Sequence, residues 1–483
     1  MKLMVVKEGD SGIKCKYVTL EVFELLDQKR LLQIIKYNKK LQMLLNINIH
    51  HYKDNYKVLS SIEIELKPSD ICGEFINLIR KDEEEKDREK YFHIYFNDSK
   101  TEIKNKYNLN ENDKVKIIKI LVEYKVTSLA HIFSRCPAIK SINFKKLLRS
   151  NIEDMSDMFY ECIYLEEINL TNFITDNVVD MSYMFHGCSK LKKLNLTSFN
   201  TSNVKEMYAM FHGCSLLEEI DVSSFDTSNV HDMTKLFSKC LSLKKIDVSN
   251  FITNNVDNMS KMFAKCSSLT EIDVSNFNTE NVDNMSYMFM GCSKLTKLDL
   301  SNWNTESLND MSYIFSECAS LEEINISNFT TENLNSMDGM FSGCIALKHI
   351  NLDNFNTHNV NKMNSMFSGC ISLQEINLTN FITNDVFNMS ELFAGCTSLK
   401  KIDLHNFNTD NVNDMREMFS GCTSLEEVNI YNFNFADINN KQNMFKGCKS
   451  LKKINISPLQ IPHIYNELIK ECSSELNVFT SNL

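Results

Sequence analysis

The chain has 483 residues, and its 43% hydrophobic and 24% charged side chains are the composition of a folded protein with a sizeable core. A net charge of -11 excludes a chain devoted to neutralising phosphates or anionic lipid, so nucleic acid is not an expected partner. No apolar stretch of signal-peptide length follows Lys2 and no run of about 18 apolar residues occurs, so the sequence predicts no membrane span and a cytoplasmic location.

Residues 1–56 read as a helical module. Leu20, Phe23, Leu31, Ile34, Ile35, Leu41 and Leu45 fall at helix-face spacings across 17–45, with a break at Asp27. This stretch resembles a divergent F-box. The family's Leu-Pro opening and its Trp are absent, and Thr19, Leu20 and Leu41 stand in that region. The resemblance implies that residues 17–45 dock on a Skp-type adaptor of a ubiquitin ligase, with the rest of the chain holding a substrate. Residues 57–113 read as an α+β capping or linker region. Ile62–Leu66 and Tyr91–Phe96 are strand-like, and the charged stretch Arg80–Lys90 reads as a solvated helix face or loop.

From residue 114 the pattern changes to a repeat. Thirteen of the 16 cysteines fall at one interval of 26 residues, from Cys136 to Cys448, and such self-similarity means stacked units that cannot bury their apolar faces alone. Even spacing without a CxxC pair argues for a buried free-thiol ladder over disulfides or metal ligands. In the repeat 188–213, Leu191, Leu194 and Leu196 read as a short strand followed by Phe199. Val204, Met207, Met210, Phe211 and Cys214 then fit one side of a short helix. Gly213, like glycines before seven other array cysteines, fits a left-handed helix-ending residue. Thr201 and Asn203, with counterparts in most repeats, read as loop ladders that satisfy backbone groups. The column from Phe173 through Phe277 and Trp303 to Phe433 reads as a core spine.

The motif L-x-x-[IL]-[ND]-[LV]-[ST]-x-F-x-T-x-N-V-x-x-M-x-x-[ML]-F-x-G-C resembles the BspA-like leucine-rich repeats, also found as the lipoprotein-associated repeats of mycoplasmas, over residues 115–457. The resemblance implies a solenoid with a parallel sheet on one wall and a protein-binding role; many bacterial members resemble surface adhesins. The fold class expected is therefore an α/β solenoid. It is a leucine-rich-repeat superhelix of about 13 repeats over 114–457, each with one short parallel strand and one short helix. The N-terminal region caps one end, and residues 458–483, with Pro458, Pro462, Ile464, Leu468 and Ile469, cap the other.

Function should lie where outward columns follow rules of their own. Just before each strand the charge alternates without a slip, as in Lys192 and Lys193, Glu218 and Glu219, Lys244 and Lys245, then Glu271. This predicts a self-neutralising ladder that fixes register. One residue into the strand, Asp221, Asp247, Asp273 and Asp299 form a run of stacked carboxylates, either screened by adjacent lysines or occupied by a cation or basic segment. Tyr160, His186 and His212, where other repeats mostly carry Ser or Ala, form a second candidate patch, read as variation on a solvated edge ahead of a metal site. Sequons such as Asn195-Leu196-Thr197 would place glycans on the strand face, which favours the cytoplasm. The sequence carries no P-loop, HExxH, GxSxG or GxGxxG. The expected function is a non-enzymatic protein-interaction scaffold without a cofactor, with a ligase receptor and an adhesin as alternatives.

Overall fold

The computed structural model describes residues 61–78, 88–123, 125–146, 151–464 and 477–479. The helical module expected over 17–45, with its Skp-type adaptor contact, lies outside the described residues. All of the described residues except Ser61 belong to one unit running from Ile62 to Leu483.

This unit begins with antiparallel strands. β1 (Ile62–Pro68), β3 (Phe92–Phe96) and β5 (Ile118–Val122) join β6 (Ile139–Lys146) and β7 (Glu167–Asn169) in a sheet of order β3-β5-β1-β6-β7. The short pair β2 (Gly73–Glu74) and β4 (Asn108–Leu109) lies beside it, and a 3-10 turn spans Arg88–Tyr91. Period-2 alternation builds these strands: Ile62, Ile64 and Leu66 are buried, as are Ile118, Ile120 and Val122. The sheet changes direction at β6, antiparallel to β1 on one side and parallel to β7 on the other. The antiparallel strands therefore run directly into the solenoid.

From there the chain winds in turns of 26 residues. Twelve isolated parallel bridges, from Ser128↔Asp154 to Asp414↔Asn440, join equivalent residues of successive turns on one wall. On another wall lie short parallel pairs, such as β8 (Lys193–Leu194) with β9 (Glu219–Ile220) and β10 (Lys297–Asp299) with β11 (Glu323–Asn325). β12 (Lys401–Asp403), β13 (Glu427–Asn429) and β14 (Lys453–Asn455) continue the series, and β15 (Asn477–Phe479) adds a last parallel strand to β14. At 245–247, 271–273, 349–351 and 375–377 the backbone passes the same wall without forming a ladder.

The expected helix in each repeat is absent among the described turns, and a ribbon of tight turns replaces it. In the ribbon of residues 207–214, alternate amides point in different directions. Met210, His212 and Cys214 donate N–H to the carbonyls of Met207, Ala209 and Phe211, three residues back. Ala209, Phe211 and Gly213 instead donate to Thr234, Leu236 and Ser238 of the next turn, at 2.8–2.9 Å. An α-helix would keep every amide for its own carbonyls and leave none for the neighbouring turn. Two left-handed residues per turn redirect the chain. Gly213 has φ 76° and Ala209 φ 51°. The glycine column was legible in the sequence; its companion, four residues earlier in each turn, was not, because it holds mostly residues with a Cβ, such as Tyr183, Lys235 and Glu391, each at about 1–2 kcal/mol of backbone strain. Gly339 is the glycine in that column, and a Cβ there would collide with the ring of Tyr313.

The interior is a set of columns. One phenylalanine column runs from Phe133 to Phe445, with rings such as Phe185 and Phe211 stacked 5.7 Å apart and 5° from parallel. A second runs through Phe277, Trp303 and Phe329, with centroids 6.5 Å apart. Trp303 is buried there and donates its indole N–H to the Val274 carbonyl at 3.1 Å. All thirteen array cysteines are buried and free. From Cys162 to Cys448 their thiols hydrogen-bond to the phenylalanine carbonyl of the preceding turn, as in Cys214 to Phe185 at 3.2 Å, so that this carbonyl accepts from both Cys188 N–H and Cys214 Sγ. Burial pushes thiols such as Cys162 and Cys214 up to about 12. The threonine column does the work of missing ladder bonds. Thr175 Oγ1 donates to the Asn200 carbonyl and accepts from the Asn200 N–H, both at 2.8 Å. Asn229 reaches back to the Ser202 carbonyl at 2.7 Å. After the last repeat Gln460 Oε1 accepts the Phe435 N–H at 2.8 Å, and Ile464 is buried in the core cluster.

Phe277→Ala removes a ring between Phe251 and Trp303 and is expected to lower stability by about 3–5 kcal/mol. Trp303, the sole tryptophan of the chain, reports this as a lower urea midpoint by fluorescence; an unchanged midpoint would show that the column is not core.

Candidate interaction surfaces

The strand wall presents the alternating charges in register. Lys193 stands opposite Glu219 and Lys297 opposite Glu323, and Glu427 lies between Lys401 and Lys453. The ion pairs follow from this pairing: Lys193–Glu219 at 3.3 Å, Lys244–Glu218 at 3.1 Å, Lys297–Glu323 at 2.8 Å and Lys401–Glu427 at 3.1 Å, with Lys245 also on Glu271. These side chains are exposed, apart from the half-buried Glu427, so the pairs select the register of an array that the apolar columns hold together. At the N-terminal end of this wall a depression of about 620 Å³ is lined by Glu166, Glu167, Ile168, Lys190, Lys192, Lys193 and Leu216.

Asp221, Asp247, Asp273 and Asp299 lie in one column on this wall, and each has an intramolecular task. Their Oδ1 atoms accept the N–H of Ser223, Ser249, Ser275 and Ser301 at 2.9–3.0 Å, closing the turn after the strand. Hydrogen bonds from those serines hold the carboxyls below their usual range. Asn169 and Asn195 do the same for Thr171 and Thr197, which explains why Asp and Asn exchange freely in this column.

On the turn-ribbon wall, Tyr160, His186 and His212 come together in one stack. Centroids lie 4.7 Å apart between Tyr160 and His186 and 4.6 Å between His186 and His212, and the guanidinium of Arg135 sits 5.4 Å from the Tyr160 ring. The Nδ1 atoms of both histidines are buried without a hydrogen-bond partner. Desolvation lowers His186, and desolvation with the neighbouring His186 and lysines brings His212 down to about 4. Both rings are therefore neutral at physiological pH. Tyr183 and Tyr208 widen the patch, with centroids 5.0 Å apart.

Four residues on this wall escaped the sequence reading. Lys235 and Lys261 occupy the first left-handed column, and Lys239 and Lys265 the second. The signal was present in Lys239 and Lys265, which stand where most turns place Gly. Lys235 Nζ donates to Tyr208 Oη at 2.7 Å, and Lys261 Nζ lies 4.9 Å from the Tyr287 ring centre. A further exposed feature is the rim just after the cysteines, where Ile163, Leu216, Leu241, Ile345 and Ile371 are 40–43% exposed.

A family described as "Mycoplasma protein of unknown function, DUF285" matches residues 127–246, 217–323, 292–381 and 337–459. No curated protein matches the chain. Among solved structures, a leucine-rich repeat protein from Bacteroides ovatus is 20% identical, with 75% of this chain and 89% of that chain covered and a TM-score of 0.37. An internalin from Listeria monocytogenes is 12% identical, covering 74% and 88%, with a TM-score of 0.23. A leucine-rich repeat protein from Leptospira interrogans is 12% identical, covering 68% and 90%, with a TM-score of 0.20.

Replacing Glu218 and Glu219 together with Lys sets like charges against Lys192, Lys193, Lys244 and Lys245. The thermal midpoint is expected to fall, and to fall further in low salt than in high salt; a loss independent of salt would reject the ladder. The histidine stack makes a separate prediction. The folded value of His212, about 4, lies below the ordinary 6.5. Between these values the unfolded chain binds the additional proton, so stability declines as pH falls from about 6.5 towards 4. In His212→Phe, denaturation curves between pH 6.5 and 5 should show a shallower decline.

Proposed function

The chain belongs to the family described as mycoplasma proteins of unknown function, DUF285, and from that premise we propose that it is a non-enzymatic scaffold that binds another protein along its stacked turns. The observation that carries this reading is the rim of exposed aliphatic residues, Ile163, Leu216, Leu241, Ile345 and Ile371, on an array whose core columns are already filled. Apolar side chains exposed at one solvated edge in several turns, beside a wall of paired charges, are the composition of a protein contact with a polar surround. The division of labour within each turn supports it further. Phe, Met, Cys and Thr columns hold the turns together, so the outward positions are free to vary and to be read as one extended surface. Thirteen buried thiols outside any disulfide fit a reducing compartment, in keeping with a cytoplasmic scaffold.

The test is affinity capture from the source cells with the full chain and with the triple variant Ile163→Asp, Leu241→Asp, Ile345→Asp. These side chains are exposed, so the variant should keep its melting curve. A protein enriched by the wild type and lost with the variant is the expected result. Retention of every captured protein by the variant would reject the rim as the contact. If a Skp-type adaptor is captured and is lost only when residues 17–45 are removed, the scaffold would be a ligase receptor.

A further inference from the structure

We infer that the outer wall of the middle turns is a docking site for an acidic protein segment, gripped by Lys235, Lys239, Lys261 and Lys265. This deepens the protein-binding reading and rests on it. The four lysines occupy two columns on two adjacent turns. Their backbones are fixed: the amides of Lys235, Lys239, Lys261 and Lys265 each donate to the next turn, at Ser260, Ala264, Ser286 and Met290. The platform is therefore rigid, and little order has to be created when a partner arrives.

The arrangement runs against the rules that the rest of the array obeys. On the strand wall, charge alternates from turn to turn, and Lys193, Lys244, Lys245, Lys297 and Lys401 find carboxylates; here lysine follows lysine in both columns. Among the described residues, neither Lys239 nor Lys265 has an ion-pair or hydrogen-bond partner for its ammonium group. Both also hold left-handed backbone, at φ 59° and 61°, where eight turns place glycine. Stacked like charges repel and a Cβ at positive φ is strained, so these two turns give up stability that glycine would have kept. A partner that supplies the missing negative charge accounts for both departures.

The footprint has edges. Along the second column the residues run Glu161, Gly187, Gly213, Lys239, Lys265, Gly291, Glu317, so acidic residues bound the basic stretch on either side. The phenol of Tyr208 and the neutral His212 lie beside Lys235 and Lys239, and Tyr287 beside Lys261. An extended segment carrying several carboxylates, with room for apolar or aromatic side chains between them, matches this mixture of ammonium groups and ring faces. A nucleic acid is the less suitable occupant of a chain whose net charge is -11.

The test uses the full chain and a fluorescein-labelled decaglutamate peptide, read by fluorescence anisotropy. Saturable binding that weakens as salt rises is expected. The double variant Lys239→Gly, Lys265→Gly adopts the residue that the other turns use, so it should melt no lower than the wild type while binding the peptide at least tenfold more weakly. Absence of peptide binding by the wild type, or unchanged binding by the double variant, overturns the proposal. So does a labelled oligothymidylate of equal charge binding as tightly as the peptide, which would make the wall a general polyanion surface. Partner capture that survives the glycine variant but is lost with the rim variant would overturn this site alone and leave the scaffold reading standing.

Discussion

Everything in this molecule depends on where alternate backbone amides of one ribbon send their protons. In each turn, every second N–H before the cysteine is donated forward to the following turn, and the amides between them close local turns. The 26-residue interval is thereby fixed, because an added residue would exchange forward-facing and inward-facing groups and leave buried donors unpaired. The left-handed residues, the ring columns, spaced from 5.3 Å to 6.5 Å, and the strand register are all consequences of holding successive turns in register.

Side chains complete the satisfaction that the backbone leaves unfinished. The threonine hydroxyl spans both the N–H and the C=O of a residue in the next turn, the asparagine amide reaches a carbonyl in the turn before, and the cysteine thiol fills the second acceptor position of a phenylalanine carbonyl. These polar columns explain why a chain with so little regular secondary structure can be buried so thoroughly. They also explain the choice of cysteine, a small apolar group with a weak donor, at a place where serine would bring a stronger demand for partners.

The period, the core columns, the thiol ladder and the alternating charges were legible because each repeats as a residue type at a fixed place. The ribbon was not. Met207, Met210, Phe211 and Cys214 are buried with the spacing that a helix would bury, and periodicity cannot tell a helix from a chain of turns that exposes the same residues. The glycine before the cysteine hinted at one left-handed position, but its companion at Ala209 is held there by cross-turn bonds, without any signature in the sequence. For the surfaces, Tyr160, His186 and His212 were found because they break a column of small residues, and the structure does join them in a stack. The aspartates were noticed for their charge, yet their geometry is that of turn-closing acceptors, a role asparagine shares. The lysines went unremarked because two of the four sit in a column whose common property is a dihedral angle.

The alternation of sign along the strand wall has a further consequence for how such a gene can change length. Each turn bonds only to its neighbours, so removing or duplicating one would leave the backbone pairing intact, but it would bring two turns of the same sign together at the junction. Loss or gain of two turns at once preserves the alternation. The unit of inheritance is then a doublet of opposite polarity, and chains descended from this one by slippage should differ by even numbers of turns.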